Sequence, residues 1–351
     1  MKRLLFPFLL VLQVACSGIN PATPTERIVE GQTSNAATPT PTNTLPLPTD
    51  TPIPTIAQTP PLTTATSTPT AADTQNPSPV PCDPIKSYCI EDGHFYLDRP
   101  IALPGTITID PGYPYGSTQG GARDPHHGVE FYNASGTTVL AAADGQVVVA
   151  GDDSQQIYAI QPDSYGNLIV IEHYFPDIPE PVYTLYGHLS QVEVQAGQAV
   201  HSGEEIGKVG ASGAAIGSHL HFEVRLGQNN YDSNRNPVLW LKPLLYGAGN
   251  SLGVLAGRVE DTQGNLIQTS GLNIQYFADP NGAQTSARQV ETYAIAEHPV
   301  QADDAWNENF TLGDLQPGDY RISLIRNGGL YERWVQVLPG KLTFFVLQVD
   351  Q

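Results

Sequence analysis

Residues 217–224 read Gly217-Ser218-His219-Leu220-His221-Phe222-Glu223-Val224. On an extended strand, side chains two apart share a face. His219 and His221 therefore aim into one cleft, while Leu220 and Phe222 face a core. The Phe222 ring and the β-branched Val224 suit a strand better than a loop. Two neighbouring imidazoles are costly to protonate together, so the pair suits metal binding or proton transfer. Two other segments also gather histidines: Pro125-His126-His127-Gly128-Val129-Glu130-Phe131 and Leu185-Tyr186-Gly187-His188-Leu189-Ser190. In extended chain His126 and Glu130 share a face, with His127 and Val129 pointing the other way. An imidazole pair plus one carboxylate, with a fourth position open, is a catalytic zinc arrangement.

Around these segments the pattern is that of an all-β protein. From residue 94 to about 252, short apolar strands alternate with Gly turns, as at 139–141, 145–150, 168–172 and 182–185. This predicts a compact antiparallel sheet domain over residues 82–250. A second unit opens at Gly253-Val254-Leu255-Ala256-Gly257-Arg258-Val259 and turns at Asp261-Thr262-Gln263-Gly264. It closes with the apolar run 335–349, and it predicts a β-sandwich over 251–351. The composition agrees: Gly and Pro number 33 and 31, and only 15% of residues are charged, a mix poor in amphipathic helix. The formal net charge of −19 argues against nucleic-acid binding and against electrostatic adhesion to anionic lipid.

The first residues read as an export signal. Lys2 and Arg3 precede an apolar run over 4–14 that is too short to span a bilayer. It ends at Leu12-Gln13-Val14-Ala15-Cys16, which resembles a bacterial lipoprotein signal over residues 1–15. The resemblance implies that Cys16 carries lipid and heads the mature chain. Gln13 departs from it, since the pattern prefers Leu there; the alternative is plain secretion. Residues 16–81 are rich in Pro and Thr, predicting a disordered, extended linker. At up to about 3.1 Å per residue, such a tether reaches on the order of 100 Å. With Cys16 lipidated or removed, Cys82 and Cys89 remain as an even pair, and an oxidising compartment allows a disulfide between them.

Together, the histidine segments resemble the lysostaphin (LytM) type of zinc metallopeptidase. That family carries His-x-x-x-Asp, then Tyr-x-His-Leu, then His-x-His on a strand, and the likeness extends over about residues 120–245, including Val139-Leu140-Ala141-Ala142-Ala143-Asp144-Gly145. The resemblance implies one zinc ion per chain, held by His126, Glu130 and His221, with His188 and His219 as catalytic residues outside the metal's shell. It implies an endopeptidase acting on the peptide cross-links of bacterial peptidoglycan, in the cell envelope outside the cytoplasmic membrane. His219 is assigned as the base, with His188 equally able to serve. Glu130 stands where the family has Asp; Gly128 lends the backbone latitude for the extra methylene. The substitution keeps a second reading open, a non-catalytic wall-binding or hydrolase-activating module using the same groove. A third, a lipoyl-type carrier, would need a modified lysine at a hairpin tip, where Lys208 does not sit. Residues 251–351 resemble the carboxypeptidase-regulatory-like sandwich. His173 reads as a strand-end or cleft-rim residue; His94, His201 and His298 read as surface residues. Tyr186 is read as either core or substrate-facing, and the loop holding Tyr113, Tyr115 and Gly116 to Gly121 as plain loop or groove border.

Overall fold

The structure, a computed structural model, describes residues 82–350. The signal segment 1–15, Cys16 and the linker to residue 81 lie outside the described residues. In chain order the strands are β1 (Cys89–Glu91), β2 (Val129–Tyr132), β3 (Thr138–Leu140), β4 (Gly145–Asp152), β5 (Asn167–His173), β6 (Val182–Gly187) and β7 (Leu189–Val192). They continue as β8 (Ala199–Val200), β9 (Glu205–Val209), β10 (His219–Leu226), β11 (Asn234–Arg235), β12 (Leu245–Tyr246) and β13 (Asn250–Ser251). The last are β14 (Gly253–Asp261), β15 (Leu272–Phe277), β16 (Ser286–Val290), β17 (Phe310–Leu315), β18 (Gly318–Arg326), β19 (Gly329–Val337) and β20 (Leu342–Val349). Two 3-10 turns, Tyr231–Ser233 and Pro237–Leu239, are the only helical segments among the described residues. The all-β expectation holds.

Seven strands form the sheet that carries the histidines, in the order β11-β10-β6-β5-β4-β8, with β2 also paired to β10. Every pairing in it is antiparallel. A three-stranded sheet, β3-β9-β7, packs beside it. Leu220, Phe222 and Val224 of β10 join Ile169, Ile171, Val182 and Tyr186 in one buried core. Tyr186 is thus a core residue, its hydroxyl accepting from Ala142 N at 2.9 Å and from Thr184 Oγ1 at 3.0 Å. His173 ends β5 as expected but is fully buried, not on a cleft rim. Its ring is satisfied by Asp144 O and Thr184 Oγ1, both at 2.8 Å.

The C-terminal strands form two four-stranded sheets, β1-β20-β14-β17 and β16-β15-β18-β19, over a second core. β20 explains its own sequence. Leu342, Phe344 and Val346 join the first core, while Phe345, Leu347 and Val349 join the second. A strand covered on both faces, here also paired in parallel with β14, reads as a continuous apolar run. Each large side chain buried this way contributes roughly 1.5–3 kcal/mol, so the two sheet systems are held together by a shared interior. The described residues, 82–350, accordingly form one compact unit.

Two sequence expectations change here. The boundary at 250/251 assigns residues 82–91 to the first domain, yet β1 pairs antiparallel with β20 and belongs to the sandwich sheet. The Cys82–Cys89 disulfide is present and closes the turn that leads into β1. His94 is not a surface residue: its ring lies between Trp240 and Trp306, at 4.8 and 4.7 Å, and meets Asp303 Oδ1 at 3.2 Å. It precedes the domain in sequence but sits where the two sheet systems join. His201 and His298 are exposed, as expected.

Between β16 and β17 the chain makes an irregular excursion over residues 291–309 that packs against the first domain. Within it Glu308 is fully buried, accepting from Tyr293 Oη at 2.8 Å and from Asp303 N at 2.9 Å. Burial pushes its pKa up from 4.5 to about 8, against the opposing pull of those two hydrogen bonds. A raised acid pKa stabilises the fold fully below the unfolded value of 4.5 and loses that contribution as pH rises toward 8. Glu308→Gln, which cannot ionise, is expected to flatten this decline. Its melting temperature relative to the parent should rise steadily from acid to mildly alkaline pH, as read by thermal denaturation across that range. A constant offset would show that Glu308 does not titrate there.

Candidate metal centre

Strand β10 carries the centre. His219, His221, Glu223 and Arg225 alternate with Leu220, Phe222 and Val224, and all seven are buried. One face is therefore a row of buried polar groups and the other is core. On one side β2 sets Glu130 directly opposite His221; on the other, β6 sets Gly187 opposite it. The next residue, His188, has φ +62°, a left-handed turn that ends β6 and swings its ring toward the cleft. Its centroid lies 4.8 Å from that of His219 and 5.7 Å from that of His221. His126, just before β2, places Nε2 2.8 Å from Glu130 Oε1 and 3.3 Å from His221 Nδ1, while His221 Nδ1 is 3.1 Å from Glu130 Oε1. Gly128 is required for room and not for unusual dihedrals: a Cβ there would lie 2.5 Å from Phe222 O and 2.8 Å from the His221 ring.

The hydrogen bonds fix which nitrogen of each ring is free. A carbonyl only accepts, so a ring nitrogen bonded to one must be N–H. His126 Nδ1 donates to Tyr113 O at 2.6 Å, His188 Nδ1 to Ser212 O at 2.9 Å and His219 Nδ1 to Gly217 O at 3.0 Å. Each of these rings therefore presents an Nε2 lone pair. His221 is turned the other way, its Nε2 donating to Glu223 Oε1 at 3.1 Å and its Nδ1 facing Glu130. Second partners of this kind set the tautomer and orientation of metal-ligating histidines.

One nitrogen each of His126 and His221 and one oxygen of Glu130 all lie within 4.8 Å of one another. Two imidazoles and a carboxylate are the donor set of a three-ligand zinc site. The other carboxylate oxygen, Glu130 Oε2, is buried without a hydrogen-bond donor; His219 Nε2 is 3.2 Å away but does not make a hydrogen bond to it. A buried carboxylate short of donors is a group that a cation satisfies. Burial by itself would raise the Glu130 pKa, but His221 and His126 outweigh it and hold the carboxyl well below the usual range. Burial likewise opposes charge on His221, yet Glu130 and Glu223 push its pKa up to about 10. His188 lacks such partners: burial, then the neighbouring His221 and His219, push it down to about 4, so it is a neutral base at neutral pH.

Some of the site escaped the sequence reading. Glu223 receives His221 Nε2, the Tyr165 hydroxyl and Arg225 Nε, the last at 2.8 Å. The alternation that paired His219 with His221 continues to Glu223 and Arg225, so the signal was present in the same strand. His127 was expected to point away, but regular strand starts only at Val129, and alternation does not govern the residues before it. Its ring is buried, stacks on Tyr231 at 3.7 Å, and lines the same cleft. That cleft, about 270 Å³, also takes in Tyr113, Arg123, His188, His219 and Tyr231. Tyr113 stacks on His126 at 4.0 Å, so the Gly-rich loop borders the groove. The Asn167 side chain supports the backbone, donating to Leu189 O at 3.0 Å.

Comparison with known proteins covers this region of the chain. Residues 124–233 match the model of Peptidase family M23. The chain is 34% identical over 105 residues to the cell division protein DipM of Caulobacter vibrioides, covering 30% of this chain and 15% of that protein. It is 40% identical over 101 residues to the peptidoglycan DD-endopeptidase ShyB of Vibrio cholerae, covering 28% and 20%. It is 32% identical over 130 residues to the uncharacterized lipoprotein YgeR of Escherichia coli, covering 37% and 43%. The chain thus spans well under two thirds of each of these relatives. The matched stretch contains His126, Glu130, His188, His219 and His221, so the whole constellation lies within the region that is similar to Peptidase family M23.

Proposed function

We propose that this chain is a zinc-dependent endopeptidase that hydrolyses peptide cross-links in bacterial cell-wall peptidoglycan. The observation that carries the reading is the convergence of His126 Nε2, Glu130 Oε1 and His221 Nδ1, beside which His188 and His219 present free Nε2 atoms. The first three residues are the metal ligands. Zinc, when bound, supplies Lewis-acid polarisation of the scissile carbonyl and acidifies the attacking water. One of His219 Nε2 and His188 Nε2 would accept the proton of the attacking water and return it to the leaving amine, and the other ring, when it carries a proton on Nε2, would stabilise the developing oxyanion. His188 is suited to the base role by its lowered pKa, which keeps the ring unprotonated before attack. Tyr113 and Tyr231 wall the cleft and hold the peptide chain against the histidines.

The wall substrate is supported by the name of one relative, the peptidoglycan DD-endopeptidase ShyB, and a wall substrate implies a location in the cell envelope or outside the cell. Among the described residues no helix is long and apolar enough to cross a membrane. Lipid on Cys16 and the linker over 16–81 then hold the enzyme at the outer side of the cytoplasmic membrane, and residues 251–351 serve as a carboxypeptidase-regulatory-like sandwich. The binding-only alternative draws on Glu130 in place of the family's Asp. Against it, the longer side chain still reaches His126 Nε2 at 2.8 Å and His221 Nδ1 at 3.1 Å.

Three measurements test the reading. Metal analysis of the purified chain should give one zinc, and His221→Ala should lose it; a tightly held zinc in that variant would refute the ligand set. On defined muropeptides read by mass spectrometry, His188→Ala and His219→Ala should keep zinc and lose on the order of 100-fold or more in turnover. Near-normal turnover in both would remove them from the mechanism. Glu130→Asp should bind zinc and stay within about tenfold of the parent, roughly 1.4 kcal/mol in barrier, whereas Glu130→Ala should lose most of its zinc affinity. A parent without turnover that gains it as Glu130→Asp would support the binding module instead.

A further inference from the structure

The loop that leads into the metal motif has no regular structure of its own. Residues 111–124 include Gly112, Gly116, Gly120 and Gly121, of which Gly116, Gly120 and Gly121 have left-handed φ. Such a loop cannot hold a catalytic geometry by propensity. Yet it supplies Tyr113, whose carbonyl receives His126 Nδ1 at 2.6 Å and whose ring stacks on His126. Something outside the loop must fix it, and the contacts lead to the C-terminal sandwich.

Glu291, one residue beyond β16, reaches across to the loop with both carboxylate oxygens. Oε2 accepts from Ser117 Oγ at 2.6 Å and from Thr118 N at 3.2 Å; Oε1 accepts from Thr118 Oγ1 at 2.8 Å. The same two hydroxyls then organise the loop, Ser117 Oγ accepting from Gln119 N and Thr118 Oγ1 from Gly121 N. Ser117 and Thr118 are both buried. Backbone follows side chain: Ala294 N donates to Gly116 O at 3.1 Å, while Gly116 N donates to His126 O at 2.8 Å and His126 N to Ser117 O at 3.1 Å. A second set of contacts meets the neighbouring ring. His298 O accepts from His127 Nε2 at 3.2 Å, and Tyr115 Oη, bonded to Asn234, donates to Gln301 O at 2.8 Å. Asn234 Nδ2 in turn donates to His127 Nδ1 at 2.9 Å.

We infer that the sandwich is a working part of the metal centre, and that Glu291 is a positioning residue whose two-oxygen clamp on Ser117 and Thr118 holds the Tyr113 carbonyl and ring against His126. This carboxylate comes from outside residues 120–245, delivered by the excursion that follows β16. The sandwich is thereby given a role that neither adhesion nor spacing requires. The inference rests on the metallopeptidase reading above.

The test uses the full mature chain. Glu291→Ala removes the clamp; Glu291→Gln keeps one accepting oxygen and should restore part of the effect; Ser117→Ala with Thr118→Val removes the two hydroxyl bonds from the loop side and leaves the one from Thr118 N. Expected for the first and third is faster amide hydrogen exchange confined to residues 113–121, together with zinc affinity lowered about tenfold in chelator competition, the lower end of the range for partners that orient a metal-binding histidine. Global melting should change little, and kcat on muropeptides should fall more than KM rises. Unchanged exchange and unchanged zinc affinity in a folded Glu291→Ala protein would overturn the clamp, as would an equal loss of protection throughout the fold. A parent that binds no zinc would overturn the metallopeptidase reading while leaving the exchange comparison to decide the clamp.

Discussion

The structure turns on one imidazole held between two carboxylates. His221 faces Glu130 with one nitrogen and Glu223 with the other, and Glu223 is in turn bonded to the buried guanidinium of Arg225. Ionised groups this deep are tolerated only when each is paired and hydrogen-bonded. Burial opposes charge on Glu223, but Arg225 and His221 together keep it ionised. The consequence is positional. Because every member of the row is committed to a neighbour, the ring is held with Nδ1 toward Glu130 and His126. The left-handed turn at His188, the bare backbone at Gly128 and the pairing of β2 against β10 all serve the geometry set by that row.

Much of this was legible in the order of residues because strands advertise their faces. His219 and His221, two apart beside Leu220 and Phe222, gave the strand, its orientation and the cleft. His126 and Glu130 come together as read, although by a route that alternation does not describe, since the chain straightens only at Val129. What could not be read were contacts between distant segments. The roles of Tyr113 and Tyr165 depend on loops whose path is fixed by tertiary partners and not by local pattern. His94 illustrates the same limit: its setting comes from Trp240 and Trp306, which lie far along the chain. The family pattern carried His188 and His219 where composition alone would have left them as two more polar residues.

The division into a first domain and an appended sandwich describes the sequence better than the molecule. One sheet of the sandwich has its outer face buried in the interior of the first domain, through Val254, Ala256, Leu342, Phe344 and Val346. A sheet with two covered faces is a middle layer, so residues 82–350 are layered through a shared interior and are not two separate beads. This also accounts for the unalternating composition of β20, which an exposed sandwich edge would not require.

The pairing of β1 with β20 has a consequence for assembly. The histidine-bearing sheets are inserted in sequence between the first strand of the sandwich sheet and all the others, and Cys89–Glu91 pairs with residues 342–344 across that insertion. Such long-range pairing is slow to form, because loop closure must precede the contacts that reward it. As the chain emerges, the seven-stranded sheet can collapse early, but its interior stays open until Leu342, Phe344 and Val346 arrive. The order of synthesis thus acts as a timer: the core beneath the histidine-bearing sheet closes only once Leu342, Phe344 and Val346 of β20 have been delivered.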